Sequence, residues 1–135
     1  MEKLQSKDLR IGNWVECEVL DGEIMVNGYE PIVQIKTIEY DWVSKEYFAL
    51  NTNSDYIYLD LYKPIPLTED WLLRFGFEIT GAMDSYGGWV SPMLDGRQIR
   101  VTRGDNCYFC YHSKVQYVHQ LQNLYHSLTG KELTI

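Results

Sequence analysis

The stretch KPIPLTEDWLLRFGF, Lys63 to Phe77, divides the chain. Pro64 and Pro66 each push the preceding residue out of the helical region, so Lys63 to Leu67 reads as a stiff extended connector. Thr68 then caps a helix. Its hydroxyl can accept an orphan backbone N–H, and Glu69 and Asp70 suit the positive end of the helix dipole. Leu67 and Leu72 sit at staple spacing across that cap. Gly76 supplies a left-handed stop, after which Phe77 can fold back on Leu72 in a Schellman arrangement. The predicted helix is Glu69 to Phe75.

Upstream of this divide the pattern is that of strands. Leu9, Ile11, Val15, Cys17 and Val19 fall at odd positions, with Trp14 on the opposite face. Gly12 suggests a bulge or a close backbone approach. Asp21-Gly22 and Asn27-Gly28 read as tight turns around a short strand, Glu23 to Val26. Pro31 to Tyr40 is rich in β-branched residues and reads as a strand. Trp42 to Leu50 and Tyr56 to Tyr62 read as two more, around a polar loop at Asn51 to Asp55. Five short strands in about sixty residues predict a small SH3-like antiparallel β-barrel.

Downstream, Phe77 to Thr80, Tyr86 to Val90, Gln98 to Thr102 and Cys107 to His112 read as short strands. They are separated by turns at Gly81 to Ser85, Asp95-Gly96 and Gly104 to Asn106. A second helix is predicted over Lys114 to Leu128, capped by Gly130. Tyr117, Val118, Leu121, Leu124, Tyr125 and Leu128 share one broad face of it. Gln116, His119, Gln120, Gln122, Asn123, His126 and Ser127 share the other, with Val115. Leu133 to Ile135 return to the core or form an edge strand. The expected fold class is α+β: a β-barrel lobe over 1–63, then a helix, an antiparallel meander and a C-terminal helix over 64–135. The two lobes are expected to pack together as one unit.

The bulk composition narrows the function classes. Twelve Lys and Arg against nineteen Asp and Glu leave a net charge of −7, which repels a phosphate backbone unless the basic residues cluster. Arg97, Arg100 and Arg103 form the one local group, so nucleic acid is a disfavoured partner. Three cysteines, an odd number, argue against a secreted disulfide framework. Met1 to Arg10 is charged and carries no apolar run of a signal peptide, and no stretch approaches a membrane span. A cytoplasmic setting with reduced thiols is expected. Eleven tyrosines and four tryptophans suit both sheet packing and contact surfaces.

Few constellations carry chemistry. Cys107-Tyr-Phe-Cys110 has a zinc-knuckle spacing, but Tyr108-Phe109 favours a strand, where the two thiols face opposite sides. His119 and His126 lie about two helical turns apart, roughly 10 Å of rise, too far to share one metal. No metal site, cofactor or catalytic set is read from the chain. Gly87-Gly88 permits close approach of a ligand, with Tyr86 and Trp89 as stacking platforms. Gln122, with His119 and His126, offers a polar contact surface on the last helix. These five residues, Tyr86, Trp89, His119, Gln122 and His126, are the candidate binding positions.

Three segments together resemble a known group of sequences. They are Leu9-Arg-Ile-Gly-Asn-Trp-Val15, the segment Pro64 to Phe77, and Tyr117-Val-His-Gln-Leu-Gln-Asn-Leu-Tyr-His-Ser-Leu-Thr-Gly130. In that order they look like a family of small uncharacterised proteins of Bacteroides-type bacteria and their phages and mobile elements. The resemblance implies a bacterial cytosolic setting and a phage or prophage origin. It carries no activity and no catalytic residue.

The functional expectation is a non-enzymatic module that binds a protein, in a phage setting a modulator of a host or defence factor. One alternative is a binder of single-stranded nucleic acid or nucleotides, stacking bases on Tyr56, Tyr58 and Tyr62 or on Tyr86 and Trp89. Another is an enzyme with Cys110, His112 or His119 in its site.

Overall fold

The computed structural model describes residues 8–17, 32–52, 56–80, 88–91, 98–104, 107–110 and 113–135. The chain divides into two compact units, Met1–Ile65 and Pro66–Ile135. Among the described residues it is an α+β fold with two helices and two five-stranded antiparallel sheets. The turns expected at Asp21-Gly22, Asn27-Gly28, Gly81 to Ser85 and Asp95-Gly96, the strand Glu23 to Val26, Tyr86 and His112 lie outside the described residues.

The first unit holds β1 (Trp14–Cys17), β2 (Ile32–Asp41), β3 (Glu46–Asn51), β4 (Tyr56–Tyr58) and β5 (Tyr62–Lys63), in the spatial order β4-β3-β2-β1-β5. The first strand starts later than its alternation predicts. Gly12 takes φ 96°, and Asn13 Oδ1 accepts the Arg10 N–H at 2.6 Å, so residues 10–13 form a turn. That turn docks on β2, with Gly12 N–H donating to Ile35 O at 2.7 Å. Ile11, expected on the buried face, is therefore exposed.

β2 changes face within its length. The pairing with β3 shifts between Ile35 and Thr37, where Lys36 is the extra residue of a bulge. Before it the buried positions are Val33 and Ile35. After it Ile38 packs against the same core. Leu9, Val15, Cys17, Ala49, Leu59 and Tyr62 complete that interior, with Ile57 at its margin. The strand expected over Tyr56 to Tyr62 is broken by a 3-10 turn at Leu59–Leu61. The break turns Tyr62 inward, where its hydroxyl donates to Ala49 O and accepts from the Asn51 side-chain amide.

The second unit opens with α1 (Glu69–Arg74), whose ends match the sequence reading. Thr68 Oγ1 accepts the Trp71 N–H, Gly76 takes φ 82°, and Phe77 N–H donates to Leu72 O at 2.9 Å while Gly76 N–H donates to Leu73 O. That pair of bonds is the Schellman closure. There follow β6 (Glu78–Thr80), β7 (Gly88–Val90), β8 (Arg100–Gly104), β9 (Cys107–Cys110) and β10 (Ser113–Val115), a meander in sequential order. Trp89, Val101, Tyr108, Cys110 and Val115 share its buried face.

α2 (Val118–Thr129) begins four residues later than predicted, because Ser113–Val115 pairs with β9 as a strand. Gln120 Oε1 reaches back to accept the N–H groups of Gln116 and Tyr117, which fixes the helix start. Gly130 ends it at φ 75°. Leu133 is buried beyond that stop, and Ile135 is exposed.

Candidate functional site

The positions singled out on the last helix do not form an exposed surface. The buried residues of α2 are Val118, His119, Leu121, Gln122 and Tyr125, a face rotated by somewhat less than one residue's ~100° step from the expected one. His119 is 4% exposed and Gln122 0%, so both belong to the interior rather than to a solvated polar face. His126 alone of the three keeps a half-exposed ring, 3.9 Å from Glu132.

Trp89 is 4% exposed, opposite Ile79 and Val101 in the ladder. An indole in that position packs the sheet and offers no face for stacking. Tyr62, the third of the proposed base platforms, is likewise buried and hydrogen-bonded. Cys107 and Cys110 stand on opposite faces of β9, and desolvation pushes the Cys110 thiol up to about 11, away from thiolate chemistry. No group of three His, Cys, Asp or Glu among the described residues is arranged to hold a metal ion.

The concentration of exposed apolar surface lies elsewhere, at the free end of the β2–β3 hairpin. Sequence reading ran one strand from Trp42 to Leu50; the chain turns at Trp42 to Lys45 instead. Trp and Val are good strand formers, so propensity pointed the wrong way. The overriding signal is Asp41. Its carboxylate accepts the Val43 N–H at 3.0 Å and the Ser44 hydroxyl at 3.0 Å, while its carbonyl accepts the Lys45 N–H at 2.7 Å. The bonds to the carboxylate, led by the one from Val43 and followed by that from the Ser44 hydroxyl, hold the Asp41 carboxyl below its ordinary pKa. Lys45 closes the loop at φ 59°, a left-handed position with no glycine to announce it.

The two faces of this hairpin differ. On one, the core-facing row of the sheet runs outward into solvent: Ala49 and Ile38 belong to the interior, then come Tyr40, Tyr47 and Trp42. The Tyr40 ring meets Trp42 edge-on at 4.6 Å between centroids and Tyr47 at 4.9 Å. Tyr47 is 41% exposed, Trp42 81% and Val43 94%. On the other face Phe48 lies against Tyr58, 4.2 Å between ring centroids. In the ladder Phe48 stands opposite Glu39, and Asp41 opposite Glu46. Glu39, Tyr40, Asp41 and Phe48 line an open recess of about 370 Å³.

No family model, curated protein or solved structure matches the chain. No helix among the described residues is long and apolar enough to cross a membrane.

Proposed function

We propose that the chain is a non-enzymatic protein-binding module and that the tip of the β2–β3 hairpin is its contact surface. The observation that carries this reading is the exposure of Trp42 and Val43 on a turn closed by Asp41. Turn positions are ordinarily filled by polar residues or glycine, because they face water. Here the first two of the four turn residues are a large aromatic and a β-branched aliphatic. A closed turn holds them at little ordering cost on binding, and tryptophan is among the residues that carry most energy in interfaces.

The first unit is proposed to be an SH3-like barrel. Its strand order, the bulged β2 that changes face and the 3-10 turn between its last two strands support that reading. In the bacterial or phage setting that the sequence resemblance implies, the partner would be a host or defence factor. Binding of nucleic acid is the weaker alternative, since Glu39, Asp41 and Glu46 put negative charge on the opposite face of the same hairpin.

The test is site-specific crosslinking in the native cell, with a photoreactive residue at position 43 and, as control, at exposed Glu132. A single dominant protein adduct from position 43 is expected, absent from the control. Trp42→Ala should weaken that complex by about 30-fold or more, the loss of one hot-spot side chain. No adduct above the control, or an adduct with nucleic acid, would remove the reading.

A further inference from the structure

The geometry points to a cationic subsite beside that tip: the recess between Glu39, Tyr40, Asp41 and Phe48 takes an arginine side chain of the bound protein. This rests on the protein-binding reading above and names the chemistry of its partner.

Between Glu39 and Phe48 the hairpin carries three carboxylates, Glu39, Asp41 and Glu46, against one ammonium, Lys45. Asp41 and Glu46 are direct cross-strand neighbours, and Glu39 stands two residues before Asp41 on the same face. Like charges directly opposite in a ladder destabilise it. Neither Glu39 nor Glu46 has an ion-pair partner among the described residues. An arriving cation would relieve that repulsion, so the charge that costs the free hairpin favours the complex.

The lining selects the kind of cation. Phe48, tilted against Tyr58 at 4.2 Å, gives an aromatic wall beside the carboxylates. A guanidinium satisfies both: its flat face stacks on a ring, and its edge donates to carboxylate oxygens. Asp41 keeps acceptor capacity beyond the turn, because its two oxygens offer about four lone-pair sites to the donors Val43 and Ser44. A phosphate or an acidic peptide would meet the Glu39 and Asp41 carboxylates in the recess, with Glu46 beside them, and is disfavoured by the same charge. With Trp42 and Val43 at the neighbouring tip, the complementary surface is an arginine flanked by an apolar pocket.

The experiment is a titration of the isotope-labelled full chain, followed by amide NMR, with the capped tripeptide Leu-Arg-Leu and its counterpart carrying citrulline for arginine. Citrulline keeps shape and removes charge. Saturable shifts at Glu39, Asp41 and Phe48 are expected with the arginine peptide, weakening as salt rises from about 0.05 to 0.5 M. The citrulline peptide, and the Glu39→Gln variant with the arginine peptide, should each bind about tenfold more weakly, the loss of one charge-assisted contact. Glu39→Gln is an exposed near-isostere, and unchanged shifts elsewhere in its spectrum report an intact fold. Equal binding of both peptides, shifts confined to other surfaces, or no saturable shift would overturn the subsite. If the position-43 adduct survives Glu39→Gln with Phe48→Ser but is lost in Trp42→Ala, the subsite fails and the docking tip stands.

Discussion

The Asp41 carboxylate accepts the Val43 backbone N–H at 3.0 Å, and through that bond one acid decides how an apolar side chain is presented. Hydrogen bonds to the ionised form hold this carboxyl below its ordinary value of 3.8. A depressed carboxyl pKa stabilises the fold above the unfolded value, and the contribution is lost as pH falls through the folded one. The turn should therefore stay closed at neutral pH and loosen only below about pH 4. Val43 and Lys45 amide shifts, followed against pH, report it. Asp41→Asn, which keeps the acceptor oxygen, should hold the turn at low pH, whereas Asp41→Ala should show the loosened spectrum at every pH.

Phe109 lies across Gly104 in the second unit, with its Cδ2 2.9 Å from the place a β-carbon would occupy and its Cε2 nearer still. The two residues are on the outer face of neighbouring strands, two positions along from each other's ladder partners. Gly104→Ala forces the ring to move and should cost about 1–3 kcal/mol, the range for overpacking. Phe109→Leu in the same chain should recover part of that loss, because a smaller side chain vacates the space. Urea unfolding of the single and double variants measures both. Equal stability of Gly104→Ala and the parent would mean that the ring is not held there.

The parts of this fold that were legible in the sequence are those in which local chemistry and tertiary packing agree. Thr68, Gly76 and Phe77 specify both ends of α1 within ten residues, and the observed hydrogen bonds are the expected ones. Alternation gave the buried row of β1, but not the turn ahead of it, which depends on Asn13 bonding back to Arg10. Faces were lost wherever one local event changed parity or phase. Lys36 shifts β2 by a residue, strand Ser113–Val115 delays α2, and the buried face of α2 takes in His119 and Gln122. The candidate site was hidden for a related reason: Trp42 and Val43 look like strand residues, and only the side-chain bonds of Asp41 make them a turn.

Burial pushes the Cys110 thiol up from an ordinary 9.0 to about 11, so this residue should be chemically silent in the native protein. The shift has a stability consequence of definite sign. Between about pH 9 and 11 the unfolded thiol gives up its proton while the folded one retains it. The unfolded state then binds fewer protons, and stability falls as pH rises through that window. Cys110→Ala should flatten this alkaline decline in a series of denaturant melts. In alkylation at pH 8, half-buried Cys107 should be modified first, with Cys17 and Cys110 following only on unfolding. Early modification of Cys110 would show that the β9 face is open to solvent.

Tyr62 is 1% exposed, yet it carries a hydroxyl into the interior of the first unit. There the hydroxyl donates to Ala49 O at 2.9 Å and accepts from Asn51 Nδ2 at 3.1 Å. Both partners are on β3, so one oxygen links the last strand of the unit to the strand that forms the docking hairpin. Tyr62→Phe keeps the ring and removes the oxygen, leaving a buried carbonyl and a buried amide each short of a bond. Such losses cost about 1–3 kcal/mol for an uncompensated group. Asn51→Ala removes one of those two groups. If the three groups form a connected network, the double variant should lose less than the two single losses combined, by about 0.5 kcal/mol or more. Strict additivity in a denaturant double-mutant cycle would show that the hydroxyl serves Ala49 alone. A Tyr62→Phe chain as stable as the parent would show that this oxygen does not tie β5 to the hairpin.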